Sequence, residues 1–205
     1  NQHSRIAALA RGIANRGLKV FVPSLPGLRS LRLLDDDAAL VRRIGPEGAA
    51  LVGVSLGGTL ALQLASQDPE GRWSMVWTIG AAHDLATLAR SAQAPDADAY
   101  LMEVVRSIAG GSLEHGGFER ALMRSSRHSP AGHLGDVTLP VFVLHGQSDP
   151  LVSNDHAERI CAEAPHCRLL ISPVLSHSAV ERATFLDRFR LGQFLAETLR
   201  IARGR

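Results

Sequence analysis

Residues 51–58 read "LVGVSLGG", an apolar run that ends in a serine with glycines on both sides. A strand that only has to turn into a helix needs one glycine and a polar cap. Here Gly53, Gly57 and Gly58 crowd around Ser55, so the backbone must pass close to itself before and after the serine. A serine on a sharp turn between a parallel strand and a helix lifts its hydroxyl above the edge of the sheet. Glycines two before and two after remove the side chains that would collide there. Gly53-Val54-Ser55-Leu56-Gly57 fits this nucleophile-elbow pattern. The helix that follows aims its N-terminal dipole and free N–H groups at the same point.

Outward from that turn, short apolar runs alternate with helical patterns. Ile6, Leu9, Ala10 and Ile13 keep helical spacing, and Gly17 supplies a stop. "LKVFV" at 18–22 reads as a buried strand closed by Pro23 and Pro26. "DDDAALVRRI" reads as a short helix, with Asp35, Asp36 and Asp37 at the end where the dipole favours acids. The strand "AALVGV" leads into the serine turn and a helix carrying Leu56, Leu60 and Leu64 on one side. "SMVWTIG", "VFVLHG" and "RLLIS" are further strands, and Ala157, Ile160, Cys161 and Ala164 lie on one face of a helix between the last two. A long helical region ends the chain. Residues 82–136 break the rhythm with helical pieces and glycine pairs at 110–111 and 116–117. Strands alternating with helices give an α/β class with a mostly parallel sheet flanked by helices.

A serine hydroxyl needs a base to take its proton, and the base needs an acid to orient it. "LHGQSDPLV" sets Asp149 in a loop just after a strand, and "LSHSAV" sets His177 in the loop after the next one. In a parallel sheet these loops leave from the same end, so the three side chains can converge. The chain order serine, aspartate, histidine is the one this arrangement uses.

On "GVSLGG", "LHGQSDPLV" and "LSH", in that order, the chain resembles the α/β-hydrolase superfamily over nearly its whole length. The resemblance implies a serine hydrolase of the esterase or lipase kind, cleaving a carboxylic ester or similar acyl bond through an acyl-enzyme. It implies Ser55 as nucleophile, His177 as base and then acid, Asp149 as its partner, and the N–H of Leu56 as one oxyanion donor. It implies that no cofactor and no metal take part, and that the substrate is a small ester or acyl compound. It makes 82–136 a cap-like insertion in a single domain spanning 1–205. An acyltransferase, thioesterase, amidase or C–C hydrolase shares the triad, and a non-catalytic binding protein can share the fold. Serine at the elbow disfavours the dehalogenases and epoxide hydrolases of the same fold.

The family's first three strands and the loop giving the second oxyanion donor should precede the first helix. That donor is therefore expected near Asn1 or Gln2, or upstream, and the chain is read as an α/β-hydrolase fold lacking its first strands. A family strand would lie between "LKVFV" and "AALVGV", so these two segments should not pair.

Other residues carry plainer expectations. His145, beside Asp149 in sequence, is expected to bond backbone. His83, His115, His128 and His133 have no metal-ligand spacing and read as solvated loop or cap histidines. Trp73, Trp77 and Phe142 read as core. Cys161 and Cys167 are too few for a disulfide scaffold and read as free thiols. A net charge of +2 with scattered arginines and a sole lysine, Lys19, offers no stripe for nucleic acid. No apolar run reaches the roughly 20 residues that span a bilayer, and no signal peptide is visible, so a cytoplasmic protein without membrane contact is expected.

Overall fold

A computed structural model gives the structure of residues 2–28, 31, 34–68, 71–114, 116–173, 175–177 and 185–202; at 2–5, 34–35 and 185–190 it defines the backbone only. The chain runs α1 (Gln2–Ala14), α2 (Leu34–Ile44), β1 (Ala49–Val54), α3 (Leu56–Ser66), β2 (Trp73–Ile79), α4 (Leu85–Ser91) and α5 (Ala99–Ala109). It continues through α6 (Gly117–Arg127), β3 (Val141–Gly146), α7 (Asn154–Glu163), β4 (Cys167–Ser172) and α8 (Phe185–Ala202).

The four strands form one parallel sheet in the order β1-β2-β3-β4. Because that order follows the chain, each crossover steps the same way, and a constant hand places α3 and α7 on the same face. Alternation along the strands divides the core accordingly. Val76, Val141 and Val143 face the layer holding Leu60, Leu64 and Ile160. Met75, Trp77, Phe142 and Leu144 face the other layer, where Leu9 and Ile13 of α1 and Phe194 and Leu195 of α8 pack. Phe142 and Phe194 meet edge to face with centroids 5.7 Å apart. The α/β class and the core assignment of Trp73, Trp77 and Phe142 are thus as expected.

Register decides where the loops emerge. Val54 is level with Ile79, Ile79 with Leu144, and Leu144 with Leu170. The C-terminal strand ends therefore form one row, and the chain past each enters the same region. The 82–136 segment contributes α4, α5 and α6 to the crossover between β2 and β3.

Three expectations need correction. Residues 18–22 form no ladder: β1 pairs with β2, and its other edge has no partner strand among the described residues. The two segments stay unpaired, as expected, but "LKVFV" is not a strand, because a strand is defined by a neighbour's hydrogen bonds. Phe21 and Val22 are 50% and 58% exposed rather than buried. Cys161 and Cys167 are joined in a disulfide, since the short turn from α7 into β4 brings their Cα atoms to 5.0 Å. His83 and His128 are buried rather than solvated, whereas His133 is exposed and His115 lies outside the described residues. Among the described residues, no helix is long and apolar enough to cross a membrane.

Candidate active site

Ser55 sits between β1 and α3 with φ 55° and ψ −126°, a left-handed conformation that a side chain rarely accepts. Its backbone is locked there. Ser55 N donates to Ile79 O at 2.8 Å, and Ser55 O accepts from the N–H groups of Gly58 at 2.8 Å and Thr59 at 3.1 Å. Although Ser55 holds the N-cap position of α3, its hydroxyl makes no capping bond. It lies instead 2.8 Å from His177 Nε2.

The glycines around it do what the sequence demanded. A Cβ on Gly53 would fall onto the backbone of Gly57, and one on Gly58 would come within 2.8 Å of Ala81 Cβ. The same device recurs at two neighbouring strand ends, where sequence reading passed over it. Gly80, just past β2 at φ 60°, would bring a Cβ within 2.8 Å of His177 O. Gly146, the last residue of β3, backs onto the carbonyls of Leu175 and Ser176. Three adjacent strand ends thus lack side chains where the loops carrying Ser55 and His177 close over them. The signal was present as the final glycine of "SMVWTIG" and "VFVLHG".

Asp149 uses its two oxygens differently. Oδ1 accepts from the N–H groups of Leu151 at 2.9 Å and Val152 at 3.0 Å, fixing its own loop. Oδ2 accepts from His177 Nδ1 at 2.8 Å. A carboxylate only accepts, so the His177 proton sits on Nδ1 and leaves Nε2 to receive the Ser55 hydroxyl proton. Burial pushes the Asp149 carboxyl upward, but the His177 bond and charge and the two N–H groups outweigh it, holding the group below its ordinary value. His145, fully buried, donates from Nε2 to Val152 O at 2.8 Å and so braces the same loop, the backbone role expected of it.

The remaining residues singled out in the sequence fall as follows. Leu56 opens α3, where an N–H has no carbonyl one turn earlier to bond. Gln2 begins α1, and Asn1 lies outside the described residues. Asp36 and Asp37 lie in the first turn of α2, and Asp37 is buried, accepting from the N–H groups of Gly27 and Leu28. Burial, with the charge of Asp36, raises the Asp37 carboxyl above its ordinary value against those bonds. His83 donates to Glu163 Oε2 at 2.7 Å, tying the chain beyond β2 to α7. Among the described residues, no group of three or more His, Cys, Asp and Glu is arranged to hold a metal ion.

A cleft opens at Ser55 and His177. Leu56 and Thr59 of α3 form one side, Leu88 of α4 with Tyr100, Leu101 and Val104 of α5 another, and Leu151 and Val152 a third. Sequence reading placed none of these wall residues except Leu56, since only tertiary contact brings α5 over the sheet end.

No protein-family profile matches the sequence, and no curated protein matches it. Solved structures do. The esterase domain of a Rhodothermus marinus protein is 19% identical with a TM-score of 0.60, over 96% of this chain and 80% of that one. An α/β-hydrolase enzyme from the metagenome of Mar Chica lagoon sediments, Morocco, is 22% identical with a TM-score of 0.55, over 86% and 77%. The 2-hydroxy-6-oxo-6-phenylhexa-2,4-dienoate hydrolase of Rhodococcus sp. strain RHA1 is 22% identical with a TM-score of 0.53, over 88% and 75%. The chain has the α/β-hydrolase fold.

Proposed function

We propose that this protein is a serine hydrolase that cleaves a carboxylic ester, or a closely related acyl bond, through an acyl-enzyme. One observation carries the reading: Ser55 Oγ and Asp149 Oδ2 each lie 2.8 Å from opposite nitrogens of the same imidazole. As Ser55 Oγ attacks the carbonyl carbon, His177 Nε2 takes its proton, and the imidazolium so formed is stabilised by Asp149 Oδ2. The Leu56 N–H at the start of α3 stabilises the negative charge gathering on the carbonyl oxygen. His177 returns the proton to the leaving oxygen. Water then enters, gives a proton to Nε2, and attacks the acyl carbon to release the acid and restore the Ser55 hydroxyl. The segment 82–136 acts as a cap whose α4 and α5 side chains wall the cleft.

The strained Ser55 backbone supports this reading, because such a conformation persists only where the surroundings hold it. So does the missing capping bond, which leaves the hydroxyl for His177. The fold neighbours, an esterase domain and other hydrolases, support the coarser reading of a hydrolase.

A fluorophosphonate probe tests the reading, since only an activated serine reacts. The chain is expected to be labelled once, at Ser55, and to hydrolyse an activated ester. Ser55→Ala should lose labelling and reduce turnover on the order of 10⁴-fold while keeping its circular dichroism spectrum. An unlabelled, inactive wild type with an intact spectrum would leave the fold serving as a binding protein.

A further inference from the structure

We infer that Glu163 is a positioning residue for the cleft: its one carboxylate clips both ends of the 82–136 segment to α7 and so sets where α4 and α5 stand over Ser55. The inference rests on the serine-hydrolase reading. It names a residue outside the triad and the cleft wall on which substrate binding depends.

Glu163, the last residue of α7, uses both of its oxygens. Oε2 accepts from His83 Nε2 at 2.7 Å, just past β2, and Oε1 accepts from Leu134 N at 2.7 Å, at the far end of the segment. The two ends also meet each other, since Ala131 N donates to His83 O at 3.2 Å. Burial pushes the Glu163 carboxyl up, but the His83 bond, the N–H groups of Leu134 and Gly132 and the His83 charge outweigh it. The group is held below its ordinary value. It is therefore ionised at neutral pH and can only accept, which suits all of its donors. Hydrogen bonds to a charged acceptor are about twice as strong as neutral ones. Solvent screens this one little, because the His83 and Glu163 side chains are 11% and 22% exposed. A second join to α7, from Asp84 N to His156 Nδ1, is a single bond of 3.4 Å between neutral groups.

The clipped segment holds together as one unit. α6 packs against both α4 and α5, and the three helices pack more on one another than on any other element. Leu85 N donates to Ser129 Oγ at 2.8 Å, stitching the start of α4 to the chain just past α6. Arg124 of α6 donates to Ile108 O near the end of α5. What seats the ends therefore seats all three helices. The flanking chain is fixed without Glu163: Thr59 Oγ1 of α3 bonds Ala82 N and Ala82 O, both at 3.1 Å, and Val137 is buried. Loosening the clip shifts Leu88 of α4 and Tyr100, Leu101 and Val104 of α5 in the cleft wall, while Ser55, held by β2 and α3, keeps its place.

The test compares the full chain with Glu163→Ala, Glu163→Gln and His83→Ala, using p-nitrophenyl butyrate, a small alkyl fluorophosphonate and amide hydrogen exchange. Glu163→Ala should raise KM about tenfold and leave kcat within about twofold, the pattern of lost uniform binding. The rate of Ser55 labelling should stay at the wild-type value. Amides of residues 83–134 should exchange about tenfold faster as a group, and those of β1 to β4 should not change. Glu163→Gln keeps an oxygen for Leu134 N and offers an N–H to His83, which accepts in its other tautomer, so KM should return to within about threefold of wild type. If Glu163→Ala does not fold, His83→Ala, which leaves the Leu134 bond, should show the same split with KM raised about threefold. A fall in kcat or labelling at unchanged KM, exchange that quickens equally in the strands, or a Glu163→Gln as impaired as Glu163→Ala overturns the positioning role. A wild type with neither labelling nor turnover overturns the hydrolase reading. Faster exchange confined to 83–134 would then still establish the clip, and unchanged exchange would overturn that as well.

Discussion

On the sheet side of the cleft, close approaches are made by backbone at glycines; the α4 and α5 side is seated by side-chain caps. Gly53, Gly58, Gly80 and Gly146 let the loops bearing Ser55 and His177 touch the strand ends directly. Across the cleft, α4 and α5 are seated by polar caps instead. Asp84 accepts from Ala86 N and from the Thr87 and Ser129 hydroxyls, and Asp98 accepts from Tyr100 N and Leu101 N. Backbone contacts tolerate no added atom, whereas a capped helix can exchange the side chains it presents. On the proposed reading, the difference separates the part of the cleft that would fix the chemistry from the part that would select the substrate.

The sharpest way to break that contrast is to put one atom on the sheet side. Gly53→Ala sets a methyl group against the backbone of Gly57 and Gly58, which have no rotamer to turn aside. The expected result is a loss of about 4 kcal/mol or more in urea unfolding, with fluorophosphonate labelling of Ser55 abolished. If Gly53→Ala keeps both its unfolding midpoint and its labelling, the close approach does not hold Ser55 in place.

How legible each side was follows from the same physics. Ser55, Asp149 and His177 could be read because they stand at the ends of apolar runs, and a parallel sheet gathers such ends on one edge. Their convergence is a property of topology, which short-range pattern reports. The wall residues Leu88, Leu101 and Val104 could not be separated from ordinary core, because an apolar side chain on an amphipathic helix looks the same against a cavity or a neighbour. "LKVFV" failed for the converse reason: its apolar pattern is strand-like, but strand structure also needs a partner. The cysteine pair was missed by counting thiols without asking how short the α7–β4 turn is.

A smaller effect probes the join between the two sides. His156, 5% exposed in the first turn of α7, accepts from Asp84 N through Nδ1 at 3.4 Å, linking α7 to the start of α4. Burial foremost, then His83, lowers its pKa to about 4; Asp84 pulls upward, while His145 and Arg159 push further down. The unfolded chain, with an ordinary histidine near 6.5, therefore binds the proton first as pH falls. The stability at stake is fully present above about pH 6.5 and is lost between there and about pH 4, amounting to about 3 kcal/mol. His156→Gln keeps an acceptor but cannot titrate, so its unfolding free energy should fall less steeply over that window. An unchanged slope would assign the acid sensitivity to another group.

The smallest expected effect tests the helix side by itself. Asp98→Ala removes the acceptor for Tyr100 N and Leu101 N, leaving two N–H groups at the start of α5 to water. Losing a side-chain cap costs about 1 kcal/mol, far less than a backbone collision. The first turn should fray, and that turn carries Tyr100 and Leu101 into the cleft. Ser55 and His177 are held by β1, β2 and Asp149 and should not move. The result expected is a drop of about 1 kcal/mol in urea unfolding, an unaltered rate of fluorophosphonate labelling, and a flatter dependence of kcat/KM on acyl chain length. A labelling rate that falls in step with stability would mean the two sides are mechanically one unit, and the division between a rigid chemical side and an exchangeable substrate side would not stand.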